Sequence, residues 1–186
     1  MKVNQRRHAE GESKPETIDI SIWIDSYSDI FSDFDPRSFS ERTISDDFIA
    51  QVKKVSRDTK GKVSVLKLLV PVGMQKDDHE KIIKKRLQNY FNNIHQQLQE
   101  ELRQAKVKGI YFSVTGVALM VIASYISFLK LSNFPVNLVL VLFEPGGWFL
   151  FWTGLDFLFS FSRSKKSEID FYNRMSNIHV EFSSYK

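Results

Sequence analysis

The chain of 186 residues contains no cysteine, which excludes disulfides, thiolate nucleophiles and cysteine-ligated zinc or iron–sulfur centres. It has no GxGxxG fingerprint and no P-loop. Gly61-Lys62 reads as a turn and Gly73 stands alone, so nucleotide binding through a glycine-rich loop has no support. The histidines His8, His79, His95 and His179 are scattered and form neither a zinc set nor a defensible Ser-His-Asp order. No cofactor is implied. Residues 1 to 17 are mostly polar and lack the apolar run of a signal peptide. The most informative scarcity is of charge: from 109 to 162 the only formal charges are Lys130, Glu144 and Asp156.

That depletion divides a polar protein with a bilayer-length interruption. Gly109 to Leu129 carries no charge, and as a helix it spans about 30 Å, the thickness of the hydrocarbon core. A second apolar stretch, Leu131 to Phe161, follows a short connection of Ser132, Asn133, Phe134 and Pro135. The pair is expected to form a transmembrane helical hairpin over 109–162; a protein this small would struggle to bury two such helices as a soluble core. Lys81, Lys84, Lys85, Arg86, Arg103, Lys106 and Lys108 precede the first span, and Arg163, Lys165 and Lys166 follow the second, whereas the connection holds Lys130 alone. By the positive-inside rule both termini are cytoplasmic, in a multi-pass protein best suited to a prokaryotic inner membrane. The partner implied is the lipid bilayer, and the net charge of +4 gives no reason to invoke nucleic acid.

The polar part reads as a small α/β cytoplasmic domain with a three-stranded sheet. Residues 1–16 read as a mobile tail and 17–76 as a β-α-β part. Within it Ile18, Ile20, Ile22 and Ile24 alternate onto one face of a strand. Ile44, Phe48, Val52 and Val55 then mark a helix over Thr43 to Lys60, capped by Thr43 or Ser45 and ended by Gly61. Lys62 to Val70 is a second strand, its outer face interrupted by Lys67, and Pro71 stops it. Asp77 and Glu80 then resemble a capping pair. Residues 77–108 form an amphipathic helix with no breaker before the membrane, giving one helix of about 50 residues and about 78 Å. Its stripe Ile83, Leu87, Phe91, Ile94, Leu98 and Leu102 is the expected oligomer surface. In the C-terminal segment 163–186, Asn177 to Tyr185 is a third strand that completes the sheet once the hairpin returns the chain to the side it left.

Two groups of polar residues stand out as sites. Glu144 falls near mid-bilayer and is followed by Pro145, Gly146, Gly147 and Trp148, with Asp156 farther along. A carboxylate at that depth costs several kcal/mol unless neutral, paired or wetted. Pro145 suits the first turn of a half-helix capped by Glu144, and a broken helix can hold an ion at midplane. The alternative is structural, with Glu144 satisfying backbone groups freed by the break or bonding Ser124, Thr115 or Asn137. Gly109 and Gly116 lie seven apart, and neither Ser113 to Val117 nor Gly116 to Met120 gives a small-xxx-small motif, so tight glycine pairing is weakly supported, though Gly116, Ala123 and Ser127 place small residues at spacings of seven and four. The second group is the loop bearing Asp25, Asp29, Asp33, Asp35 and Arg37. It reads first as turn scaffolding, then as a partner-binding loop, then as a divalent metal site, although it lacks the glycine and terminal glutamate of an EF-hand.

The segments DSYSDIFSDFDPRSFSERTISDDF, KIIKKRLQNYF and FEPGGWFLFWTGLD resemble a widespread set of small uncharacterised prokaryotic membrane proteins with IFSDFDPR-like and EPxGWF-like segments. Asp33, Asp35, Pro36 and Arg37 match the first signature, and Glu144, Pro145, Gly147 and Trp148 the second. The resemblance implies the membrane layout and carries no catalytic role. The expected function is thus a membrane-anchored, non-enzymatic assembly or regulatory module that meets a homo-oligomer or a membrane protein partner. An oligomeric ion or proton pathway using Glu144 is the alternative. A metal-dependent enzyme at the cytoplasmic membrane surface ranks last, because no convincing base or nucleophile accompanies the aspartates.

Overall fold

A computed structural model describes residues 17–58, 62–130 and 133–185. The tail expected over 1–16, the helix stop at Lys60 and Gly61, and Leu131 and Ser132 of the connection lie outside the described residues. The chain divides into two compact units, one holding the described residues up to Tyr90 together with those from Arg174 onward, the other Phe91–Asn173.

The first unit is a mixed α/β domain. Strands β1 (Thr17–Trp23), β2 (Lys62–Pro71) and β3 (His179–Tyr185) form a three-stranded sheet in the order β1-β2-β3, with both pairings parallel. Parallel neighbours need a long crossover. Helix α1 (Asp46–Asp58) supplies the first, and the two long helices α2 (Asp77–Phe128) and α3 (Phe134–Ser176) supply the second. The alternation read from sequence selects the core face: Ile20, Ile22, Leu66, Leu68, Val70 and Val180 are buried. Lys67 interrupts the opposite face because its ammonium meets Asp19 on β1, Nζ to Oδ2 at 2.5 Å.

Helix α1 starts at Asp46, later than expected. Ser45 takes the capping role, its Oγ accepting from the Phe48 amide at 3.5 Å and its carbonyl from the Ile49 amide at 3.1 Å. Thr43 is left outside the helix and is used by the preceding loop. At the start of α2, Asp77 is the first helical residue and not a cap, since the Glu80 amide already donates to the Lys76 carbonyl at 3.0 Å. Glu80 instead accepts from the Tyr27 hydroxyl.

The stripe of α2 is covered within the chain. Ile83, Leu87 and Phe91 are fully buried, Leu98 is buried, and Ile94 and Leu102 are half-buried. An amphipathic face predicts burial without naming what covers it, and here a single chain leaves little of the stripe for a second copy.

α2 and α3 each contain a stretch long and apolar enough, by length and composition, to cross a membrane. Only 17% and 6% of those stretches are buried inside the chain, so Val114, Val121, Phe128, Val141, Phe149 and Trp152 are exposed. A core helix of a soluble protein would be mostly covered. Phe134 and Pro135, expected in the connection, lie in the first turn of α3, where a missing amide costs nothing. Pro145 does not break α3. It sits inside a helix continuous to Ser176, losing one backbone hydrogen bond while the surrounding turns hold the path.

Candidate functional sites

Glycine sets how closely α2 and α3 approach in the second unit. A Cβ placed on Gly116 would stand 2.5 Å from the Phe151 nitrogen and 2.6 Å from the Gly147 carbonyl oxygen, and one on Gly147 would stand 2.9 Å from the Gly116 carbonyl oxygen. One pair farther along, a Cβ on Gly109 would meet the Gly154 oxygen at 2.9 Å, and one on Gly154 the Gly109 oxygen at 2.6 Å. Gly109 with Gly116 and Gly147 with Gly154 therefore oppose each other as two antiparallel glycine pairs. The weak support expected for glycine pairing is corrected: a spacing of four within one helix is the wrong template, and the working pattern is a spacing of seven on both helices. By contrast Gly146 has nothing within 4 Å of an added Cβ. The Pro-Gly-Gly sequence thus serves close approach through Gly147 and is not a helix break.

At the level of the glycine pairs the two backbones are in contact, and Glu144 lies one turn beyond the Gly116–Gly147 contact. It is exposed, and it lines an open groove of about 550 Å³ with Met120, Ser124, Ser127, Phe128 and Trp148. Ser124 was among the expected partners, and the groove brings it near without a hydrogen bond; among the described residues Glu144 has no hydrogen-bond or ion-pair partner. Met120 and Ser127 escape a reading of α3 alone. Once Gly116 is set opposite Gly147, stepping one turn along each helix brings Met120 to the level of Glu144, so the glycine register was the signal that could have found them. Asp156 stands apart, exposed, its Oδ1 accepting from the Ser160 hydroxyl at 2.6 Å.

The acidic loop in the first unit is built by its own carboxylates. Asp29 Oδ2 accepts from the amides of Asp25 and Ser26 at 2.8 and 2.9 Å, while Ser26 Oγ accepts from the Ser28 amide, a reciprocal cap on the 3-10 turn Tyr27–Ile30. Asp35 accepts from Arg37 Nε at 2.9 Å and Nη2 at 2.7 Å, and from the Thr43 amide at 2.7 Å and hydroxyl at 2.8 Å. These donors, the Arg37 guanidinium first, hold its carboxyl well below the usual carboxylate range. Asp33 is exposed, 3.9 Å from Arg42, and Asp25 meets the Tyr185 hydroxyl at 3.5 Å. An isolated bridge between Phe31 and Ile44 closes the loop. The loop therefore presents its aspartates mainly to its own backbone, and among the described residues no group of three or more His, Asp or Glu is arranged to hold a metal ion.

Compared with known protein families, with curated proteins and with solved structures, the chain gives no match.

Proposed function

We propose that the chain is a two-span membrane protein that assembles with copies of itself through the face bearing Glu144, with its α/β unit and both termini on the cytoplasmic side of a prokaryotic inner membrane. The basic residues flanking the apolar stretches support the orientation, and the exposed apolar surface of α2 and α3 supports insertion. The observation that carries assembly is the unpartnered carboxylate of Glu144 on the outer side of a glycine-closed helix pair. Glu144 lies about 15 Å along α3 from Phe134, half the depth of a hydrocarbon core. Facing acyl chains there is costly, and a second copy offering Ser124 and Ser127 hydroxyls removes that cost. Assembly then falls to the membrane helices and not to the stripe of α2, which the chain buries itself.

Molar mass of the purified chain in mild detergent and in lipid nanodiscs tests this. The native chain is expected to be dimeric or larger, and Glu144→Ala to shift the population toward monomer. A native chain that stays monomeric as its concentration rises removes the reading.

A proton or ion pathway draws on the same groove, because an oligomer would place several carboxylates around a shared wet space. Flux into liposomes separates the two readings: assembly alone predicts no difference between native chain and Glu144→Gln, while a pathway predicts loss of flux in the variant. Metal-dependent catalysis has less behind it, since Asp29 and Asp35 already accept from donors of the loop itself.

A further inference from the structure

A parallel sheet sends all of its following loops to one end, and in open α/β sheets ligands bind outside the carboxyl ends of the strands. In this sheet that end carries the loop 25–45 after β1 and the loop 72–76 after β2. Between them lies a hollow of about 390 Å³, within the range of small-molecule sites. One wall is aromatic. Tyr27, Phe39 and His79 meet edge to face, with centroids 6.4 Å apart for Tyr27 and Phe39, 6.0 Å for Tyr27 and His79, and 5.3 Å for Phe39 and His79. Phe39 also stacks on the buried Phe31 at 5.2 Å.

This wall is fixed before any ligand arrives. The Tyr27 hydroxyl accepts from the Lys76 amide at 3.1 Å and donates to Glu80 Oε1 at 3.1 Å, so its one proton is committed and its ring is held at the polar end. The reciprocal cap of Ser26 and Asp29 holds the turn beneath it. Phe39 and His79 remain half-buried, open toward the hollow, whereas rings serving only a core would be closed off. The polar rim consists of Lys76, Ser26 and Ser28, with Lys76 the one charged lining residue; the Glu80 and Asp77 carboxylates act on the Tyr27 hydroxyl but do not line the hollow. Asp29 is turned to the Ser26 amide and Glu80 to the Tyr27 hydroxyl.

We propose that this hollow binds a small planar aromatic anion, its ring against Phe39 and His79 and its anionic group beside the Lys76 ammonium and the Ser28 hydroxyl. Ring contact supplies most of the burial and the single ammonium selects a monoanion. The site lies wholly within the α/β unit, so it stands or falls independently of membrane assembly.

The test uses the full chain in lipid nanodiscs with labelled histidine, following the His79 ring resonance, assigned through His79→Gln, during titration with indole-3-acetate. Indole and acetate are titrated separately as ring without anion and anion without ring. Indole-3-acetate is expected to shift the His79 signal saturably, with Kd on the order of 1 mM or tighter. Lys76→Gln keeps the backbone amide that holds Tyr27 and is expected to raise Kd about tenfold while the His95 and His179 signals stay in place. Acetate is expected to give no saturable shift and indole a weaker one. No saturable shift of His79 by indole-3-acetate, indole binding as tightly as indole-3-acetate, or an unchanged Kd in Lys76→Gln would each overturn the proposal.

Discussion

Gly116 and Gly147 meet with their backbones in contact, each occupying the space a Cβ on the other would need. The neighbours that such a Cβ would strike are mainly backbone atoms, which cannot swing aside as a long side chain can. Gly116→Ala is therefore expected to destabilise the pair of long helices by about 1–3 kcal/mol, the usual cost of overpacking. Gly146→Ala lies on the same helix one residue from Gly147, meets nothing, and is expected to be neutral or to stabilise by up to about 1 kcal/mol. Unfolding of both variants side by side in one detergent checks this; equal midpoints would mean that close approach is not what Gly116 provides.

Asp35 supplies a pH dependence with a definite sign. Its folded pKa lies below its unfolded value, first through Arg37 and then through Thr43. A depressed carboxyl contributes stability that is fully present above its unfolded pKa of about 3.9 and is lost as pH falls from there through the folded value. The Asp35→Asn variant should thus be less stable than the native chain at pH 7, with the gap narrowing only below about pH 4. Amide exchange at Thr43, whose N–H donates to Asp35, is the local readout and should quicken in the variant at neutral pH.

The strands were legible in the sequence because alternation is a local signal: Ile20 and Ile22, or Leu66, Leu68 and Val70, declare their buried side without reference to any partner. The continuity of α2 was legible too, since no residue between Asp77 and Phe128 interrupts it. Pro145 misled for the same reason that those signals succeed. It obeys a local rule, yet whether a helix stops at a proline depends on the turns around it and on the helix packed alongside. The glycine spacing of seven was visible on each helix separately, but its meaning appears only when Gly116 is opposite Gly147. Ser124 and Met120 as neighbours of Glu144 depend on that same register. The clasp of Asp35 by Thr43 spans eight residues and could be guessed as turn scaffolding; the bond from Tyr27 to Glu80, across 53 residues, could not.

Removing the Tyr27 hydroxyl tests that long-range bond. Tyr27→Phe keeps the ring contacts with Phe39 and His79 but leaves the Lys76 amide and the Glu80 carboxylate without it. The expected loss is about 1–2 kcal/mol in the unfolding of the α/β unit. In the native chain burial, partly offset by the Lys76 amide and reinforced by Glu80, pushes the Tyr27 phenol above its ordinary value of 10.0. Its contribution is then present below the unfolded pKa and is lost as pH rises through the folded one. Ultraviolet titration, read as the difference between native chain and Tyr27→Phe, should show one tyrosine ionising late; a phenol titrating at or below 10.0 would contradict the geometry.

The last strand ties the far end of the chain into the sheet. β3 pairs along β2 from Val65↔His179 to Pro71↔Tyr185, and Val180, directly beside Leu66, is buried. Truncation after Ser176 would strip β2 of its hydrogen-bonding neighbour on that side and uncover Leu66 and Leu68 at a new sheet edge. Because β2 is the central strand, β1 cannot compensate from the other side. The expected result is loss of protection from hydrogen exchange at β2 amides that donate to β3. A peptide confined to α1 should lose protection as well if the α/β unit unfolds cooperatively. Exchange measured by mass spectrometry on peptides spanning β2 distinguishes the outcomes: unchanged protection there would show that β1 and β2 fold without the third strand, and that the return of the chain is not needed to complete the core.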